Sequence, residues 1–182
     1  MSKVKKIEHK AFDIPFSGLK TGVHEYEFQL DPAFFASFDL DELREANLKG
    51  ALTLEKKPNL LQANFSAEGF YPCTCDRCAD EIQLSIKASG EHIYKFGEGE
   101  SQTEEVTVLG EHEHIINVAP HFYEICFLSL ANKRLCENAV EAKECNTEVL
   151  ERLEDLHPNA ETEEVETEEI DPRWAALKNL KK

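Results

Sequence analysis

Residues 61–88 read LQANFSAEGFYPCTCDRCADEIQLSIKA, and their pattern of apolar residues predicts the central part of the fold. Apolar side chains occupy every second position on both sides of a short cysteine-rich segment: Leu61, Ala63, Phe65 and Ala67 before it, Ile82, Leu84, Ile86 and Ala88 after it. A period of two predicts β-strands with one buried face. Residues 73–78 therefore fall where a hairpin connection joins two antiparallel strands.

The same alternation continues outward along the chain. Positions 48, 50, 52 and 54 predict a strand before these two, joined to them through the turn EKKPN, and shorter strands are predicted within 12–16 and 26–30. One or two short helices are expected between residues 31 and 48. Ser89-Gly90 predicts a bulge, after which the third strand continues to Tyr94 and Phe96. Together these elements predict an antiparallel meander with one solvated face.

The C-terminal third combines a strand, helices and an acidic tail. The stretch IINVAPHFYEICFLSL predicts a short strand and then a helix with Pro120 in its first turn and Cys126 in the core. A second, capped helix is predicted at CNTEVLERLEDLH, starting at Asn146 or Thr147. We expect an α+β fold: one domain over residues 1–157, and an acidic, largely disordered tail over 158–182 that ends in a short amphipathic segment.

Charge and composition restrict the class of protein. The net charge is −16; residues 1–157 alone carry sixteen basic and twenty-nine acidic side chains, a net −13. Such a domain repels the phosphate backbone of nucleic acids, so basic protein partners are favoured over naked RNA. No signal-peptide pattern and no apolar run of membrane-spanning length occurs, and we expect a cytoplasmic protein without a membrane partner. In that compartment the six cysteines are free, metal-bound or catalytic rather than paired.

The cysteine-rich segment supplies part of a candidate zinc site. Cys75-x-x-Cys78 offers two thiolates, whereas a structural zinc takes four ligands in a tetrahedron. Cys136 and Cys145 are the candidates for the other two, because both lie in irregular polar sequence. Cys73 competes with Cys75, since the two point to the same face of a strand.

Two other interpretations of these thiols remain open at this point. The cysteines could be reduced and bind no metal, or Cys75 and Cys78 could form a redox pair. Redox sites of the Cys-x-x-Cys type use a thiolate at a helix N-terminus, but Cys78 leads into a predicted strand, so zinc ranks above redox. No nucleotide-binding, metalloprotease or hydrolase motif is present, and we predict no catalytic residue.

Three motifs in this order resemble the YceD family, the large ribosomal RNA subunit accumulation proteins. They are Cys75-Asp-Arg-Cys78-Ala-Asp80, Leu128-Ser-Leu130, and Asp171-Pro-Arg-Trp174-Ala-Ala-Leu177-Lys-Asn-Leu180. The resemblance runs from about residue 45 onward. Ala131 stands where the family pattern has proline, and Cys136 stands where relatives often carry another residue.

The resemblance implies a bacterial, non-catalytic role in the accumulation or processing of large-subunit rRNA. Because the domain is acidic, we expect ribosomal proteins or rRNA-processing factors as partners and an indirect link to rRNA. Trp174, Leu177 and Leu180 are spaced by three residues, which predicts one apolar side of a short helix and a partner-binding anchor. A structural Zn²⁺ is the expected cofactor.

Overall fold

A computed structural model describes residues 10–38, 42–97 and 106–156 of this chain. The chain divides into two units, Met1–Asn146 and Thr147–Lys182. Over the described ranges, no helix combines the length and the apolar character that crossing a bilayer requires. The boundary predicted between residues 157 and 158 stays a prediction, as does the disorder of the tail, which lies outside the described residues.

The fold is α+β, as the alternating pattern predicts. The strands are β1 (Asp13–Pro15), β2 (Gly22–Leu30), β3 (Asn47–Lys56), β4 (Leu60–Thr74), β5 (Glu81–Phe96), β6 (Val106–Leu109) and β7 (Ile115–Asn117). The helices are α1 (Pro32–Ala36), α2 (Ala119–Leu128) and α3 (Thr147–Leu156), with 3₁₀ turns at Lys10–Phe12 and Cys136–Asn138. α3 belongs to the second unit; the other elements belong to the first.

Strands β2 to β6 form one five-stranded sheet in sequence order, and β1 pairs with β7 in a separate two-stranded sheet. β2 to β5 are antiparallel, and β4 pairs with β5 without a break from Leu60↔Lys95 to Thr74↔Glu81. Burial alternates along β3, β4 and β5, so one face of the sheet is apolar and covered while the other is polar. The predicted meander is therefore confirmed.

Helix α2 covers the apolar face of the sheet. Phe122 is fully buried, and its ring packs edge-on against Phe65 and at a tilt against Phe28, each at a centroid distance of 5.2 Å. Cys126, one turn further along α2, is also fully buried, and burial raises its pKa to about 12. The predicted core role of Cys126 and the position of Pro120 at the start of the helix are both confirmed.

Two glycines let α2 approach the sheet closely. A Cβ atom at Gly90 of β5 would lie 2.5 Å from Cγ2 of Ile125, and one at Gly50 of β3 would lie 2.9 Å from the ring of Phe122. Real Cβ atoms do not approach other atoms this closely, so the missing side chains make room for the helix.

Two features of the sheet differ from the sequence expectation. The predicted bulge at Ser89-Gly90 is wrong: Ser89 pairs with Ser66 and Gly90 with Phe65 in unbroken register. The glycine serves helix packing, which has the same sequence signature as a bulge. In addition, β6 joins the sheet parallel to β5, through the pairs Ile93↔Val106 to Phe96↔Leu109, and thus extends the antiparallel meander by a strand of the other orientation.

Replacing Gly90 by alanine tests the close approach of α2. Ala is favoured over Gly in a regular strand by about 0.5–1 kcal/mol, but here its Cβ would collide with Ile125, which is β-branched and stiff. We expect the Gly90→Ala variant to lose about 1–3 kcal/mol of unfolding free energy in urea titration.

The neighbouring Ser89 points away from α2 and is exposed, so Ser89→Ala is the matched control. Its unfolding free energy should change by less than about 0.5 kcal/mol. A Gly90→Ala variant as stable as the parent would show that the helix does not sit against this strand as described.

Candidate metal centre

The connection between β4 and β5 is a tight turn that directs two thiols inward. The N–H of Cys75 donates to the carbonyl of Asp80 at 2.8 Å, and the N–H of Ala79 donates to the carbonyl of Cys75 at 2.9 Å. Ala79 has φ of +60°, a left-handed conformation. Cys75 and Cys78 are each 3% exposed, so the turn closes around its own two thiols.

The segment after α2 brings the other two thiols to this turn. Cys136 opens a 3₁₀ turn and is fully buried, and Cys145 is half-buried. The N–H of Lys143 donates to the carbonyl of Cys136 at 3.2 Å, which folds the segment back on itself. The N–H of Val140 donates to the carbonyl of Gln83 in β5 at 2.8 Å and fixes the segment to the sheet.

Two polar pairs join the two segments beside the thiols. The guanidinium of Arg134 donates to the Asp76 carboxylate, with Nη2–Oδ1 at 2.9 Å and Nε–Oδ1 at 3.1 Å. The backbone N–H groups of the same two residues form two more hydrogen bonds. The N–H of Arg134 donates to Oδ2 of Asp76, and the N–H of Asp76 donates to the carbonyl of Arg134, both at 2.7 Å. The Lys143 ammonium lies 3.0 Å from the Asp80 carboxylate.

Together these contacts bring four thiols into one cluster. The ligand atoms of Cys75, Cys78, Cys136 and Cys145 all lie within 4.8 Å of one another. The Sγ atoms are 3.5 Å apart for Cys78 and Cys136, and 3.9 Å apart for Cys75 and Cys145. A zinc ion with four sulfurs at ~2.3 Å requires S···S separations of ~3.8 Å, so the cluster fits the size of a tetrahedral site.

The surroundings shift the pKa values of thiols in the cluster in opposite directions. Burial alone would raise the pKa of Cys75, but hydrogen bonds from the N–H groups of Cys78 and Arg77 and from Cys136 lower it to about 6. The pKa values of Cys136 and Cys145 are raised, mainly because both thiols are removed from water. The cluster therefore offers a thiol that ionises readily beside two that resist ionisation, and a bound dication would overcome this resistance by displacing their protons.

Two cysteines lie outside the cluster. Cys73 is the second-to-last residue of β4 and is half-buried; burial raises its pKa. The open choice between Cys73 and Cys75 is thus decided by the turn, which starts at Cys75. Cys126 belongs to the core under α2.

The arrangement favours metal binding over redox chemistry. Four protein thiols converge, three of them buried, which leaves no open coordination position for a substrate. A redox pair uses two thiols and a helix N-terminus to stabilise a thiolate; Cys78 instead leads through Ala79 and Asp80 into β5. Four thiolates in a tetrahedron are a ligand set that structural Zn²⁺ sites use.

Sequence reasoning singled out these four cysteines but missed the pairs that bring them together. Asp76 and Arg134 are 58 positions apart, and Asp80 and Lys143 are 63 apart, so no periodicity connects them. The only available signal was the presence of charged residues inside both cysteine-bearing segments. The candidate partner anchor, Trp174, Leu177 and Leu180, lies outside the described residues.

Replacing Cys75 by serine tests the metal site. If zinc is bound, its binding free energy is part of the folding free energy. We therefore expect Cys75→Ser to lose stoichiometric zinc in elemental analysis and to unfold at a lower temperature than the parent protein. Cys73→Ser is the matched control, because Cys73 lies two residues away but outside the cluster, and it should retain the metal. A parent protein purified without chelator that contains no metal would refute the site.

Replacing Ala79 by glycine tests the turn. A left-handed conformation costs an L-residue about 1–2 kcal/mol, and glycine adopts it freely. We expect Ala79→Gly to raise the unfolding free energy by about 1 kcal/mol in urea titration. The control is Ala51→Gly, at an exposed position of β3, which should lower the unfolding free energy by about 0.5–1 kcal/mol. Equal effects at both positions would contradict the described turn.

The comparison with known proteins agrees with the order of motifs in the chain. The family described as "Large ribosomal RNA subunit accumulation protein YceD" matches residues 63–181, a range that includes most of β4, the turn, the segment that carries Cys136 and Cys145, and all but the last residue of the tail. No curated protein and no solved structure gives a significant match. Since the match covers well over half of the 182 residues, the chain belongs to the YceD family.

Proposed function

We propose that this chain is a non-catalytic, cytoplasmic factor that supports the accumulation or processing of large-subunit rRNA through protein partners, with a zinc ion as a structural element. The observation that carries the proposal is the family match over residues 63–181, since the family is described by its effect on large ribosomal RNA accumulation. The family description names no reaction.

The thiol cluster supports a structural role for the metal. All four ligands would come from the protein, and three of them are buried, as in zinc sites that hold a fold together. The cluster joins the β4–β5 turn to the segment that follows α2. Zinc would therefore fix the position of two loops rather than activate water or a substrate.

Charge supports the protein-mediated mechanism. With a net −13 over residues 1–157, the domain has no excess of cations to displace counterions from RNA. Ribosomal proteins are basic, and an acidic factor can bind them before they reach rRNA, as electrostatic complementarity favours. In this proposal Trp174, Leu177 and Leu180 provide the apolar part of that contact.

Measuring RNA binding across a salt series tests the mechanism. We expect the purified protein to bind large-subunit rRNA fragments weakly or not at all at physiological salt, and to capture large-subunit ribosomal proteins in a pull-down that survives nuclease treatment. A direct RNA binder would instead bind tightly and lose about three to five decades of affinity between ~50 and ~200 mM salt.

A paired variant makes this test specific to the structure. Lys49 and Lys87 are exposed and lie in one cross-strand row on the polar face of the sheet, with Glu68 between them. The double variant Lys49→Gln, Lys87→Gln should bind RNA as weakly as the parent. A steep salt slope in the parent that falls by about two in this variant would show that the polar face contacts phosphates directly, and the protein-mediated mechanism would be wrong.

A further inference from the structure

Helix α3 exposes an apolar stripe. Leu153 and Leu156 are 45% and 72% exposed, and Val149 lies on the same side at the helical spacing of four and seven residues. No side chain of α3 is buried. The opposite side of the helix is strongly polar, so α3 is amphipathic, and on its apolar side Leu153 and Leu156 are exposed.

A short amphipathic helix is stabilised when another apolar surface packs against it. α3 has ten residues, and isolated helices shorter than about 12–15 residues are marginal in water. Most helical stability in proteins comes from packing of the apolar face. A surface that packs on Val149, Leu153 and Leu156 would supply the missing stabilisation.

Charge restricts what can cover the stripe. α3 carries four acidic residues, Glu148, Glu151, Glu154 and Asp155, against one basic residue, Arg152. A second copy of α3 would bring like charges together, and nucleic acids and anionic membranes would be repelled in the same way. The complementary surface is a basic segment with its own apolar side.

The chain itself contains such a segment near its C-terminus. Residues 173–182, RWAALKNLKK, include four basic and no acidic side chains, and Trp174, Leu177 and Leu180 recur every third position. Sixteen residues separate this segment from Leu156. A chain of that length reaches up to ~55 Å, against a helix length of ~15 Å for α3, so the connection permits docking.

We propose that residues 173–182 dock on the apolar stripe of α3 in the free protein, with Trp174, Leu177 and Leu180 against Val149, Leu153 and Leu156, and with the basic side chains beside the acidic side of the helix. A short tether holds the two at an effective concentration in the millimolar range, so even a weak contact is populated. The contact is intramolecular and does not depend on the proposed function.

A consequence does rest on the proposed function. If Trp174, Leu177 and Leu180 also bind a ribosomal protein, then the partner has to displace α3 from them. The contact then lowers the apparent affinity for the partner in proportion to the docked fraction, and a variant that cannot dock should bind the partner more tightly.

Trp174 is the only tryptophan in the chain, so its fluorescence reports on the segment without a label. In the full-length protein we expect Trp174 emission at shorter wavelength, and less quenching by acrylamide, than in a peptide of residues 171–182. The variant Leu153→Ser, Leu156→Ser should lose both differences. The matched control is Leu128→Ser in α2, a leucine that is 74% exposed, which should leave the emission unchanged.

Other measurements separate the contact from its alternatives. Raising the salt concentration should shift the emission toward that of the peptide, since charge pairing contributes. Removing residues 158–182 should leave the melting of the sheet domain unchanged; a large fall would show that the tail packs on the sheet and would overturn the proposal. Emission equal to the peptide's in the parent protein would also overturn it. Failure to capture ribosomal proteins would count against the proposed function alone.

Discussion

The unbroken pairing of β4 with β5 fixes both the turn that carries Cys75 and Cys78 and the contact of α2 with the sheet. The register runs from Leu60↔Lys95 to Thr74↔Glu81, and a slip of one residue would exchange the buried and exposed faces of both strands. The same register places Cys75 and Cys78 in the connecting turn and Gly90 beneath Ile125 of α2. The thiol cluster and the helix contact therefore lie on one hairpin, the cluster at its turn and the contact partway along its strands.

The strands could be predicted because half-buried strands leave a period of two in the sequence. Leu61, Phe65, Leu84 and Ile86 are all buried as the alternation indicates. The turn could be located for the same reason, since the alternation stops on either side of it. Gly90 could not be interpreted correctly, because a glycine that makes room for a helix and a glycine in a bulge look alike in a single sequence. The parallel addition of β6 could not be predicted either, because a pattern of alternating side chains marks a strand but not the direction in which it pairs.

Of the four clustered cysteines, Cys75 and Cys78 could be predicted from their Cys-x-x-Cys spacing, and Cys136 and Cys145 from their position in irregular polar sequence. Cys126 was excluded by its apolar surroundings, and it is indeed in the core. Cys73 and Cys75 could not be separated by the strand pattern, which gives them the same face; the hydrogen bond from the N–H of Cys75 to Asp80 begins the turn and distinguishes them. The Asp76–Arg134 pair that joins both segments has no signature in the local sequence, because side chains far apart in the chain form it.

The distance in sequence between the clustered thiols has a consequence for the folding of the whole domain. Cys78 and Cys136 are 58 positions apart, and the chain between them contains β5, β6, β7 and α2. A metal ion that joins them closes a loop around these elements, and because it binds the folded chain and not the unfolded one, its binding free energy adds to the free energy of folding. Since the two thiols meet only after β5 has paired with β4 and the segment beyond α2 has returned to the turn, the ion would join late in folding. Loss of the ion would then destabilise the strands and the helix between the two thiols, and not only the two loops that hold the ion.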